Sequence, residues 1–251
     1  MRLPDFLIIG TAKAGTSAAT LNLSAHPDVA VCPRYGRAAA KEVHFFRDDR
    51  LWDRGLEWYA SRFAWKRNRC MLGEKSTDYL ADPVAVQRIR DTLPDCRLIV
   101  FLREPVARAY SHWNHFCRKY GDSSPVWHCG PFAEVVDSAE SGEPWYFREL
   151  IDFGLYDVHL ENLWHIFPPE QVHVTIAERV LADMATEYDR IFEFLGVDQL
   201  GPQAYQFDNS HPYPSPIDQA DRDRLENFYR PHVERLQEML GDDLKEWEPV
   251  S

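Results

Sequence analysis

Lys13 stands inside the octapeptide Gly10-Thr11-Ala12-Lys13-Ala14-Gly15-Thr16-Ser17, between the apolar run Phe6-Leu7-Ile8-Ile9 and the helix-like stretch 18–25. A strand, a glycine-bearing loop and a helix start present backbone N–H groups and the positive end of a helix to an anion. A nucleoside-triphosphate loop reads GxxxxGK[ST], with lysine after the second glycine. Here Thr16 holds that place. The phosphate cradle is kept, and the magnesium-nucleotide pattern is not. The octapeptide alone reads equally well as a strand-to-helix turn, so three further segments decide the chemistry.

The first is Lys41-Glu42-Val43-His44-Phe45-Phe46. It offers a carboxylate and an imidazole, either of which can take a proton. The second, Gly73-Glu74-Lys75-Ser76-Thr77-Asp78-Tyr79-Leu80, adds another cation in Lys75. The third runs from Leu102 to Trp113, with Arg103, Arg108 and Ser111, directly after the apolar run 97–102.

In this order, KxGT[ST], KEVHFF, GEKSxxYL and LRxPxxRxxSxW form a combination far more specific than its parts. The chain resembles the sulfotransferases that use 3′-phosphoadenosine 5′-phosphosulfate (PAPS). Within them it is most similar to the branch of heparan sulfate sulfotransferases and short bacterial relatives. The likeness runs from Phe6 to Trp113 and more weakly to Trp247. It implies a P-loop-type sulfotransferase fold, with PAPS as donor, PAP as product and no metal. It also implies that Lys13, Ala14, Gly15, Thr16 and Ser17 bind the 5′-phosphosulfate, and that Arg103 and Ser111 bind the 3′-phosphate. Glu42 matches the catalytic base, and Lys75 a second lysine near the sulfonate. The family's basic loop before the C-terminal helix is missing: residues 209–216 read Asn-Ser-His-Pro-Tyr-Pro-Ser-Pro, with neither lysine nor arginine. The disulfide often found there in secreted relatives is missing as well.

These roles suit the chemistry. Sulfonate transfer needs a hydroxyl deprotonated as it attacks sulfur, which Glu42 can serve. It also needs positive charge where the leaving phosphate gathers negative charge, which Lys13, Lys75 and the loop N–H groups can supply. His44, in an aromatic run, reads first as a packed, hydrogen-bonded histidine and second as an alternative base. Arg108 reads as an ion-pairing surface residue. Tyr110, Trp113, Phe116 and Tyr120 form a helical stripe suited to packing. Trp127, Trp145, Tyr146 and Phe147 include candidates for an acceptor pocket. Two other readings compete: a P-loop kinase, disfavoured by the displaced lysine, and an idle nucleotide-binding protein, disfavoured by Glu42 together with Lys75.

The elements that must position these residues alternate. Strands are expected at 6–10, 29–32, 70–73, 97–102 and 171–176, with helices at about 82–92, 106–120, 155–167, 183–195 and 217–240. That order points to an α/β fold with a central parallel sheet flanked by helices. The length of 251 residues fits a single domain 1–251. Its donor motifs lie in 6–120, and its acceptor-side loops and C-terminal helices in 121–251. Residues 1–120 carry 20 Lys and Arg against 13 Asp and Glu, and residues 121–251 carry 8 against 27. A basic N-terminal half suits a small anionic donor, and an acidic C-terminal half repels a polyanionic acceptor. The expected acceptor is therefore a hydroxyl on a small molecule, a sugar or a carrier-tethered metabolite. The net charge of −12 makes nucleic acid a poor partner. No run approaches a membrane span, and no signal-type segment precedes the first strand. Five scattered cysteines without CxxC spacing argue against a disulfide framework or a zinc site and suit a cytoplasmic setting.

Overall fold

The computed structural model describes residues 2–32, 42–63, 71–121, 129–141, 145–201, 205 and 213–248. Five short apolar runs form strands β1 (Phe6–Gly10), β2 (Val29–Cys32), β3 (Met71–Lys75), β4 (Arg97–Leu102) and β5 (Val172–Ile176). They build one parallel sheet in the order β2-β3-β1-β4-β5. Every residue of β1 and β2 is buried, as a strand covered on both faces requires.

The expected end of the third strand at Gly73 is corrected: β3 continues to Lys75. Glu74 and Lys75 read as a loop by polarity, yet both are buried. Gly73 itself is needed inside the strand. A Cβ there would lie 2.1 Å from the ring of Phe6, its partner in register on β1.

The helices are α1 (Thr16–Ala25), α2 (Asp49–Trp52), α3 (Gly55–Ser61), α4 (Pro83–Thr92), α5 (Pro105–Tyr120) and α6 (Phe132–Ser141). They continue with α7 (Trp145–Asp152), α8 (Tyr156–Ile166), α9 (Ala177–Ala182), α10 (Met184–Leu195) and α11 (Gln219–Leu240). Local signals account for the boundaries. Asp82 caps α4 ahead of Pro83, and Gly196 and Gly241 take left-handed conformations just past α10 and α11. α2, α3, α7 and α9 escape a periodicity reading because they are short, and α6, as long as α4, lacks its Asp-Pro start signal.

The chain divides into two compact units. The first comprises Met1–Leu102 and Glu161–Ser210 and holds the whole sheet. Phe6, Ile8, Val29, Val31, Ile99 and Phe101 alternate along their strands onto one face, where α1 and α10 bring Ala19, Leu23, Ile191 and Phe192. The second comprises Arg103–Leu160 and His211–Ser251. There Val106, Ala109 and Tyr110 of α5 pack with Val135 and Val136 of α6, Leu150 and Ile151 of α7, and Leu225 and Tyr229 of α11.

Two expectations fail in the second unit. Arg108 is fully buried rather than a surface ion-pair partner. Positions 105, 108, 109 and 112 share the buried stripe of α5. From there the guanidinium donates to the carbonyl of Leu150 and to Nδ1 of His112. Cys117 and Cys129 form a disulfide, with Cα atoms 5.1 Å apart. They lie 12 positions apart in the chain, so the pairing follows from tertiary structure and not from a short spacing motif. The inference of a reducing compartment from unpaired cysteines loses its ground. Tyr110, Trp113 and Phe116 of the aromatic stripe pack into or against the core, while Tyr120 stays exposed at the end of α5.

Candidate active site

The loop after β1 is shaped by its backbone. The amide of Thr11 donates to the carbonyl of Phe101 at 2.8 Å, tying the loop to β4. Lys13 has φ +72° and Gly15 φ +86°, both left-handed. At Gly15 a side chain would be strained although the surrounding space is open. Gly15 is the N-cap of α1 and brings no side-chain cap, and the first turn of α1 holds no acidic residue. By contrast, Asp82, Glu104, Asp183 and Asp218 cap α4, α5, α10 and α11 with carboxylates. α3 and α9 also lack a side-chain cap, but their first turns hold Glu57 and Glu178, whereas the first turn of α1 carries no negative charge, which suits an anion. Ala14 and Thr16 are buried, Lys13 and Ser17 half-buried, and Gly15 exposed.

A second group forms beside this loop, at the carboxyl end of β3. β3 pairs with β1, and Lys75 lies opposite Ile8. Lys75 Nζ is 3.2 Å from Glu42 Oε1 and is almost fully buried. Glu42 also accepts from Thr77, whose hydroxyl reaches Oε1 at 2.8 Å and whose amide reaches Oε2 at 3.3 Å. His44 Nε2 lies 3.6 Å from Glu42 Oε2, and its Nδ1 meets Asp78 Oδ2 at 2.8 Å. Arg47 donates to the same Asp78 oxygen at 3.1 Å. The structure therefore joins Glu42, His44 and Lys75 in one network and adds Thr77, Asp78 and Arg47.

His44 sits at φ +55°, a conformation that costs a non-glycine residue about 1–3 kcal/mol. Its amide and carbonyl are both held, by Ser76 Oγ at 2.9 Å and by the amide of Asp48 at 2.9 Å. Burial opposes charge on the imidazole, but the hydrogen bond and charge of Asp78, with Glu42 and Glu74 behind, raise its pKa above 6.5. Burial likewise opposes the Asp78 carboxylate, and His44 and Arg47 outweigh it and lower its pKa. The charged form of His44 is thereby favoured over that of a free imidazole.

Glu42, His44 and Asp78 place ligand-type atoms within 4.8 Å of one another. Lys75 and Arg47 already face the two carboxylates, so the cluster reads as a charge-matched network.

Arg103 and Ser111 belong to the second unit. Arg103 precedes α5, half-buried, and its carbonyl accepts from Tyr156 Oη at 2.8 Å. Ser111 is a buried residue in the second turn of α5. Lys41, Trp127 and residues 209–212 lie outside the described residues, as do the side chains of Trp145, Tyr146 and Phe147. Thr77, Asp78 and Arg47 are the site residues that sequence reasoning missed. The signal for Thr77 and Asp78 was position: they follow Lys75 and Ser76 just past the end of β3.

A family model described as "Sulfotransferase domain" matches residues 3–210. The mouse "Heparan sulfate glucosamine 3-O-sulfotransferase 6" is 30% identical over 269 residues, covering 96% of this chain and 73% of that protein. The mouse "Bifunctional heparan sulfate N-deacetylase/N-sulfotransferase 3" is also 30% identical, covering 98% of this chain but 31% of that protein. Among solved structures, a sulfotransferase from Alicyclobacillus acidocaldarius aligns with a TM-score of 0.77 at 29% identity, covering 98% of this chain and 99% of its own. These matches displace the kinase reading. The alternating α/β sheet, the uncapped helix behind the Lys13 loop and the matched family model place this chain in the sulfotransferase family.

Proposed function

We propose that this sulfotransferase takes sulfonate from PAPS and delivers it to a sugar-type hydroxyl, with Glu42 as the base. The Glu42–Lys75 contact of 3.2 Å carries the reading. It sets a proton acceptor and a buried cation side by side at the end of β3, next to the strand that feeds the uncapped N-terminus of α1. In the reaction the acceptor oxygen bonds to sulfur, and the bond from sulfur to the bridging phosphate oxygen breaks. The acceptor proton passes to Glu42, and PAP departs with the added negative charge. Lys13, Lys75 and the N–H groups of residues 15–17 meet that charge. Arg103 and Ser111 are assigned to the 3′-phosphate on the family resemblance; a guanidinium and a hydroxyl are both donors that suit such a group.

The relatives named for glucosamine 3-O-sulfation support a sugar hydroxyl as acceptor. The net charge of −12 favours one less anionic than a densely sulfated chain. Glu42→Gln keeps the size and one of the two hydrogen bonds from Thr77 but cannot take the proton. Its kcat with labelled PAPS and a panel of sugar acceptors is expected to fall by about 10²–10⁴, with donor KM little changed. Retention of more than about a third of kcat would remove Glu42 from the role.

A further inference from the structure

Glu74 lies fully buried in β3, one residue before Lys75, and contacts neither Glu42 nor the Lys13 loop through any bond described above. Three hydroxyls converge on it. Ser76 Oγ donates to Oε1 at 2.6 Å, Tyr79 Oη donates to Oε1 at 2.9 Å, and Tyr59 Oη donates to Oε2. Two of these hydroxyls also accept backbone amides. Ser76 Oγ takes the N–H groups of Val43 at 3.1 Å and His44 at 2.9 Å, and Tyr79 Oη takes that of Phe46 at 3.3 Å.

The hydrogen-bond arithmetic leaves little freedom. A serine hydroxyl has one proton and two lone pairs. Both lone pairs of Ser76 are used by the 43–44 amides, so its proton must go elsewhere, and Glu74 Oε1 receives it. Burial and the charge of Glu74 push the Tyr59 and Tyr79 phenols well above 10, so both stay donors.

We propose that Glu74 is a positioning residue for sulfonate transfer: through Ser76 and Tyr79 its Oε1 holds the segment 43–46 that sets Glu42 and His44. The proposal rests on Glu42 being the base. Burial pushes the Glu74 carboxyl up to about 7, against the pull of the three hydroxyls. The charged groups around it are few: His44 opposes that rise, and the Cys96 thiol beside it is itself pushed up by burial and by Glu74. The Ser76 and Tyr79 bonds both end on Oε1, so a proton added to Oε2 does not remove them.

The test uses the full chain with Glu74→Met, Glu74→Gln and Ser76→Ala, read by amide hydrogen exchange and by kinetics. In Glu74→Met, Ser76 and Tyr79 lose their acceptor. Exchange at the Val43, His44 and Phe46 amides is expected to quicken at least about tenfold, and kcat to fall about 10–100-fold with donor KM within about twofold. Glu74→Gln retains a carbonyl oxygen for Ser76 and Tyr79 and is expected to stay within about threefold of wild type in both readouts. Ser76→Ala is expected to deprotect Val43 and His44 but not Phe46, and it carries the test if Glu74→Met does not fold. Unchanged exchange in Ser76→Ala, or a Gln variant as impaired as the Met variant, would overturn the anchor. Quickened exchange in a protein whose wild type transfers no sulfonate would instead overturn the functional reading and leave the anchor standing.

Discussion

At the scale of single residues, the site is a balance of charges placed where burial would otherwise neutralise them. His44 and Asp78 show this most clearly. The histidine's raised pKa contributes stability below its unfolded value of 6.5, lost as pH rises through the folded value. The aspartate's lowered pKa contributes stability above its unfolded value of 3.8, lost as pH falls through the folded value. The pair therefore supports the fold in the window between the two folded values. Asp78→Asn removes the charge that holds the imidazolium, while burial continues to oppose it. The ring titration of His44 by NMR is expected above 6.5 in wild type and below it in the variant. An unmoved titration would mean that Asp78 does not control His44. Glu42, His44 and Lys75 were legible as residues because their motifs carry them. Asp78 and Thr77 were not, since a carboxylate and a hydroxyl after a lysine look like any solvated turn.

At the scale of elements, the strands and helices were legible where local chemistry repeats. β1 and β4 are continuous apolar runs, and α4, α10 and α11 carry their caps in the sequence. β3 was legible only in part, because its last two residues are polar and buried. Such a stretch is strand only when its side chains find partners across the sheet. The glycine at its centre carries a sharp prediction. Gly73→Ala puts a methyl into the ring of Phe6 on the adjacent strand, an overpacking worth about 1–3 kcal/mol. For a chain of this size, thermal unfolding is expected to drop by about 2–4 °C per kcal/mol lost. An unchanged melting temperature would mean that Phe6 moves aside at no cost. The same close approach explains why the fragment Leu-Gly-Glu-Lys continues as strand where glycine more often marks a turn.

At the scale of the whole molecule, the division of charge along the chain is not its division in space. The sheet-bearing unit holds 18 Lys and Arg against 21 Asp and Glu, and the other unit 10 against 19. The basic N-terminal half and acidic C-terminal half thus become units of −3 and −9, because residues 161–210 return to the sheet. The Cys117–Cys129 bond belongs to this scale too, since it closes a loop of 12 residues within the second unit. A closed loop of that size restricts the unfolded chain by about 3 kcal/mol. Replacing both cysteines with serine is expected to lower the melting temperature by several degrees and to leave the sheet-bearing unit's amide protection unchanged. Equal loss across both units would show that they unfold as one.

The sequence by itself determined the class of fold, the order of strands and helices along the chain and the motifs of the sulfotransferase family. Each of these rests on local pattern: apolar runs, capping residues and short motifs with residue types at set spacings. The tertiary structure alone decided which of those residues meet. Arg108 turned inward because the helical period, not its charge, chose its face. The two cysteines, 12 positions apart, pair through tertiary structure and not through a short spacing motif. Asp78 meets His44, 34 residues away in the chain, and Glu74 meets the 43–46 segment only by way of Ser76 and Tyr79. Such contacts depend on strand register and buried hydrogen-bond accounting, which no short stretch of sequence encodes.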